Sequence, residues 1–148
     1  MDHNSVYALS SLGWCKLYFG SIDEVIALVE QVIRLSPRDP RIASFYNLIG
    51  TVHLLQSHID EAIVWLEKAR SAMPGAPIFH SQLASAYALS GDTERAATEL
   101  AEARRLSSDG RYSSLARLRT VMGLAPKIRA LIEATYFAGL RKAGMPEE

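Results

Sequence analysis

Four histidines (His3, His53, His58 and His80), one cysteine (Cys15) and a run of cations over Arg111, Arg117, Arg119, Lys127 and Arg129 are the side chains best suited to chemistry. A metal site needs His, Cys or carboxylate ligands at short spacing on shared elements. His53 and His58 lie five apart across an expected turn, and Cys15 has no second cysteine for zinc or for an internal disulfide. The sequence therefore predicts no metal and no cofactor, and His53 and His80 read as partly buried structural imidazoles. Nucleophilic catalysis needs an elbow for the nucleophile and an oxyanion loop. Neither occurs, so no catalytic residue is assigned and the chain reads as a non-enzyme. The basic run meets no acid before Glu133 and could face phosphate, where bound cations release counterions. Without interleaved aromatics beyond Tyr112 it reads as a solvated face, and no nucleic-acid partner is expected.

With reaction chemistry set aside, the question becomes what the chain builds. Its 148 residues suffice for one domain, 1–148, that buries most of its apolar surface. An apolar fraction of 49% with 22% charged residues is that of an ordinary globular protein. No apolar run approaches the roughly 20 residues of a spanning helix, and "MDHNSVYALS" lacks the basic start of a secretory leader. A cytoplasmic protein with no membrane partner is expected, and a single cysteine suits a reducing compartment. The net charge of zero is uneven: residues 1–110 carry 9 Lys and Arg against 13 Asp and Glu, whereas 111–148 carry 7 against 3.

The strongest signal is self-similarity. If Ala43 is position 1 of a unit, Gly50 is position 8, "IDEAI" (59–63) fills positions 17–21, Ala69 is 27 and Pro74 is 32. A shift of 34 residues, starting at Pro77, brings Ala84 to position 8, Gly91 to 15, "TERAA" (93–97) to 17–21 and Ala103 to 27. Counting from Val6 gives Gly13, Gly20, "IDEVI" (22–26) and Pro37 at positions 8, 15, 17–21 and 32. Three units result, 6–39, 43–76 and 77–110, with Pro40, Arg41 and Ile42 inserted after the first. Small residues at position 8 let two helix axes approach, and glycine at a turn accepts a left-handed conformation. The pattern predicts helices near 4–19, 22–35, 40–56, 59–72, 77–90 and 93–107. Ser21 with Glu24 forms an expected capping box, and Asp39 an expected N-cap ahead of Pro40.

These units resemble the tetratricopeptide repeat, a helix-turn-helix unit of about 34 residues. The resemblance departs at Ser57 for the turn glycine, at Val25 and Val32 for the alanines of positions 20 and 27, and at Lys16 and His53 for the aromatic that survives as Tyr87. It implies an all-α fold, an α-solenoid wound as a right-handed superhelix of three hairpins, since single pairs cannot bury their faces alone. Beyond Asp109, which can cap through Arg111, a seventh helix is expected over "RYSSLARLRTVMG" (111–123). A longer one should start at Ala125, with Ile128, Leu131, Ile132, Thr135 and Gly139 along one side and Gly144 as its stop. These two would cap the open end of the array.

By the same resemblance the first helix of each unit lines a concave groove. The expected groove residues are Tyr7, Ser10, Trp14, Leu17 and Tyr18; Ser44, Asn47, Thr51, Leu54 and Leu55; and Ile78, Ser81, Ser85, Ala88 and Leu89. Such a face would bind a protein or peptide segment anchored by Trp14 and the tyrosines. Alternatively, Trp14 and Tyr18 pack on a preceding repeat or on the C-terminal helix. The lysines and arginines of a carboxylate clamp are missing: Ser10, Trp14, Asn47, Thr51, Ser81 and Ser85 stand in those places, and only Asn47 offers an amide. Val6, Leu9 and Leu12 on an uncapped first helix suggest a homodimer. Three phrases, "RLSPRDPRI" (34–42), "DEAIVWLEKA" (60–69) and "GLRKAGMPEE" (139–148), are similar to C-terminal repeat regions of bacterial, rhizobial-type class III adenylate cyclases. That narrower resemblance implies an alternative role as the regulatory or oligomerisation region of a signalling protein whose catalytic domain lies elsewhere.

Overall fold

The structure, a computed structural model, describes residues 3–18, 21–122 and 126–148. Within these the chain forms helices α1 (His3–Tyr18), α2 (Val25–Leu35), α3 (Ile42–Leu55), α4 (Ile59–Ala72), α5 (Pro77–Leu89), α6 (Thr93–Leu106), α7 (Leu115–Val121), α8 (Pro126–Ile132) and α9 (Ala138–Lys142). A π-helical turn, Glu133–Phe137, joins α8 to α9, and no strand occurs among the described residues. The fold is an α-solenoid: α1 packs on α2, α3 on α4 and α5 on α6, while α2 meets α3 and α4 meets α5. Expectations for Gly20, Gly123, Ala125 and the side chain of Tyr18 fall outside the described residues.

The 34-residue period is written in the backbone. The position-16 amide bonds the position-11 carbonyl in all three hairpin turns: Ser21 to Lys16 at 2.8 Å, His58 to His53 at 2.8 Å and Asp92 to Tyr87 at 2.9 Å. The position-27 carbonyl closes each second helix in the same way, accepting from Ser36, Met73 and Ser107 at 3.0, 3.0 and 3.1 Å. Packing repeats too. Position 8 faces position 24 of its own unit, where a β-carbon added to Gly50 would lie 2.7 Å from Leu66 Cγ and one added to Gly13 would lie 3.5 Å from Val29 Cγ2. Gly13, Gly50 and Ala84 are all buried, so the small residues admit the bulk of the second helix.

The helix starts differ from expectation where polar side chains find other partners. Ser21 makes no capping bond, Glu24 pairs with Lys16 instead, and Ile22–Glu24 forms a 3-10 turn before α2. Asp39 does not cap a helix at Pro40. Its Oδ1 accepts from the Arg41 amide at 2.8 Å and its carboxylate grips the Arg41 guanidinium, which postpones α3 to Ile42. Asp109 likewise accepts from the Arg111 amide and side chain, so 111–113 is a 3-10 turn and α7 starts after Ser114, whose Oγ accepts from the Arg117 amide. Among the described residues of the array, a side-chain cap is made at α6, where Asp92 accepts from the Arg95 amide.

The C-terminal segment from Pro126 to Lys142 lies along the inner side of the array: α9 packs on α5, and the π turn touches both α5 and α3. The π turn carries three consecutive buried residues, Thr135, Tyr136 and Phe137. Gly144, at φ +104°, ends α9, and the Met145 amide returns to the Leu140 carbonyl at 2.9 Å. The last residues then lie against α7, where the Leu115 and Ala116 amides donate to the carbonyls of Pro146 and Glu147 at 3.0 and 2.9 Å.

Candidate functional site

The inner helices α1, α3 and α5 and the C-terminal segment enclose a partly open cavity of about 490 Å³. Trp14 and Leu17 of α1, Ser44, Asn47, Thr51, Leu54 and Leu55 of α3, and Ile78 of α5 line it, all of them expected groove residues. Sequence reasoning missed Phe79 and Gln82 on α5 and the opposite wall, made by Val121, Met122, Ile128, Ile132 and Tyr136. Ile128 and Ile132 were legible as one face of a helix, expected to cap the open end of the array or to meet Trp14 and Tyr18; in the structure they line the cavity together with Trp14.

Polar groups on the wall are few. Thr51 Oγ1 lies 2.8 Å from the Asn47 carbonyl and 3.0 Å from Gln82 Oε1, tying α3 to α5. Asn47 is 4% exposed and its Oδ1 has no hydrogen-bond partner. No Asp, Glu, Lys or Arg lines the cavity among the described residues.

Other expected groove residues lie elsewhere. Ser81 and Ser85 are fully buried beneath the chain's own C-terminal segment. Ser81 Oγ bonds the Tyr136 hydroxyl, and Ser85 Oγ donates to the Tyr136 carbonyl at 2.7 Å. Burial pushes the Tyr136 phenol well above its usual range. Ser10 is buried and donates to the Tyr7 carbonyl at 2.9 Å, while Tyr7 is 66% exposed with the Arg41 guanidinium over its ring. Ala88 is buried and Leu89 half-buried, both away from the cavity. Val6 is buried and Leu9 partly so, because they face the core; of the three residues expected to be exposed on the first helix, Leu12 is the one that is.

The C-terminal segment is held by charge as well as by packing. Arg119 Nε and Nη1 each lie 2.6 Å from carboxylate oxygens of Glu133 and Glu147, and Arg141 Nε lies 3.0 Å from Glu147. Arg119 holds Glu133 below the usual carboxylate range; Arg141, with Arg119, does the same to Glu147. Arg119 and Arg111 of the basic run are therefore engaged within the molecule, Arg111 through its pair with Asp109.

His80 and His53 pack within the array. His80 Nδ1 lies 2.6 Å from Glu99 Oε2 and its Nε2 2.7 Å from the Pro74 carbonyl, while Arg70 takes the other oxygen of Glu99. This set ties α4, α5 and α6 together. Burial lowers the pKa of His53, whose Nδ1 has no partner and whose ring lies 5.7 Å from that of His58. Among the described residues no group of three or more His, Cys, Asp or Glu is placed to hold a metal, and no helix is long and apolar enough to cross a membrane.

Stacked helix hairpins around a concave face define the class, a solenoid of the tetratricopeptide type. No protein-family model matches the chain, and no curated protein matches it. Among solved structures it is similar to the type III secretion chaperone SycD of Yersinia enterocolitica, in complex with a peptide of the translocator YopD, at 18% identity and a TM-score of 0.67, over 90% of this chain and 93% of that one. PcrH from Pseudomonas aeruginosa is similar at 17% identity and a TM-score of 0.68, over 97% of this chain and 94% of its own. An O-GlcNAc transferase of Thermobaculum terrenum gives 22% identity and a TM-score of 0.69, with 88% of this chain covering 26% of the transferase. At such identities the likeness is one of fold, and it does not show the cyclase link suggested by the tail phrases.

Proposed function

We propose that this chain is a protein-interaction module, without catalysis of its own, that takes a protein or peptide segment against its concave face. The observation that carries the reading is the unfilled trough over α1 and α3: the C-terminal segment covers α5 closely but leaves about 490 Å³ before Trp14, Asn47 and Thr51. Apolar walls with a few placed polar groups are what a binding site needs. The similarity in fold to SycD, solved with a peptide of YopD, supports the same reading. Because Ser81 and Ser85 lie under Tyr136, the segment would end or turn at α5 and would not run the length of the array.

The test is selection of peptides from a display library on the full chain, followed by two variants. Thr51→Arg, which places a charge in the trough, should abolish binding of the selected peptides, and Val64→Arg on the exposed side of α4 should not. Binding that survives Thr51→Arg and is lost with Val64→Arg would overturn the reading.

Self-association is part of the proposal. Tyr7 and Leu12, 66% and 44% exposed on α1, leave apolar surface on that helix for a second copy. Light scattering should give twice the monomer mass, reduced to one by Leu12→Glu; a monomer mass for the unaltered chain at high concentration removes the dimer.

A further inference from the structure

We infer that His80 is held as an imidazolium donating from both ring nitrogens, and that it forms a pH-sensitive latch across α4, α5 and α6 that loosens as pH rises above neutral. A neutral imidazole has one N–H and one lone pair. Here Nδ1 lies 2.6 Å from Glu99 Oε2 on α6, and Nε2 lies 2.7 Å from the Pro74 carbonyl in the turn between α4 and α5. A carbonyl can only accept, so Nε2 carries a proton. Glu99 accepts as well, because the Arg70 guanidinium of α4 bonds its other oxygen and keeps the carboxylate ionised. Nδ1 therefore carries a proton too, since a lone pair there would face an anionic oxygen at hydrogen-bond distance.

The surroundings make the charged form matter. His80 and Glu99 are 6% and 8% exposed, so little water is at hand to replace a lost partner. Besides Glu99 and Arg70, the charged group facing the ring is Glu102 on α6. Its carboxylate is held below the usual range chiefly by Arg105, with the His80 charge a further cause. Loss of one ring proton leaves either the Pro74 carbonyl or Glu99 without its donor. On the same turn of α5, Ile78, Phe79 and Gln82 line the cavity, so the latch fixes the helix start that builds this wall.

The experiment records the His80 ring nitrogens of the isotope-labelled full chain by NMR, assigned through the side-chain couplings of that residue. At neutral pH both nitrogens should resonate as protonated, and Glu99→Gln should leave only one of them so. With both ring bonds made only by the charged form, the folded chain favours the proton, and stability should fall as pH rises. In urea unfolding the folded-to-unfolded ratio should drop roughly 10- to 100-fold between about pH 7 and about pH 9, and His80→Gln should remove that drop. Other groups do not mimic it: burial of His53 favours its neutral ring and gives the opposite trend, and Glu133 and Glu147 titrate in acid. A single protonated ring nitrogen in the unaltered chain at neutral pH overturns the inference, and this reading needs no variant to fold. Stability that is flat over the same range overturns it as well, as does a drop of equal size in His80→Gln.

Discussion

Gly139 of α9 sits so close to Ser85 of α5 that a β-carbon on it would lie 2.0 Å from Ser85 Oγ and 2.5 Å from the Ser85 carbonyl oxygen. A side chain there must push against helix backbone, which does not yield as a flexible chain end does. Gly139→Ala should therefore lift the C-terminal segment, costing about 1–3 kcal/mol in urea unfolding. Amide exchange over 126–148 should quicken while α3 to α6 stay protected. Ser85→Ala in the same molecule should not restore stability, because the carbonyl obstacle remains. Unchanged exchange in Gly139→Ala would show that the segment is not seated on α5.

The charge network that ties down the C-terminal segment predicts a pH dependence. Glu133 and Glu147 are held below their ordinary carboxylate range by Arg119 and Arg141, so the unfolded segment binds protons more readily than the folded one. Their contribution is present above the unfolded value of 4.5 and is lost as pH falls through the lower folded values. Protease resistance of the C-terminal segment should fall with pH in that acid window, and Glu133→Gln should weaken it already at neutral pH. Resistance that is flat with pH in the unaltered chain contradicts the network's role.

Ser57 occupies the turn position that Gly91 holds in the next unit, and it carries φ +62° where Gly91 carries φ +92°. An L side chain in the left-handed region is strained, so Ser57→Gly should stabilise the chain by about 0.5–1 kcal/mol and Gly91→Ser should do the reverse. Paired denaturation curves check both signs.

Glu99 accepts from Arg70 and faces His80 while only 8% exposed. Glu99→Ala strands both partners and should cost about 2–4 kcal/mol, more than removal of an exposed pair such as Glu102 with Arg105. Thermal unfolding of the two variants side by side gives the comparison.

The repeat was legible because packing imposes it. Gly13 and Gly50 face bulky residues of a second helix, Ala84 is buried at the equivalent position, and a β-carbon at Gly50 would meet Leu66 Cγ at 2.7 Å. Strict spacing of small residues therefore reaches the sequence as a period. The caps at Ser21 and Asp39 misled because local pattern does not say that Lys16 claims Glu24 or that Arg41 claims Asp39. The trough was half legible: Trp14, Asn47 and Thr51 follow from helical position, but its roof comes from residues more than 60 positions away from α3. Ser81, Ser85 and Gly139 were the available signal, small residues on two helices that permit close approach. Only the fold shows that they meet each other and not a partner.

Mapping where a selected peptide touches the isotope-labelled full chain decides whether the trough is the binding face. Amide shifts are expected at Trp14, Ser44, Asn47 and Thr51 on α1 and α3, with α2, α4 and α6 unmoved. Shifts confined to those outer helices, with the trough silent at saturation, would contradict it.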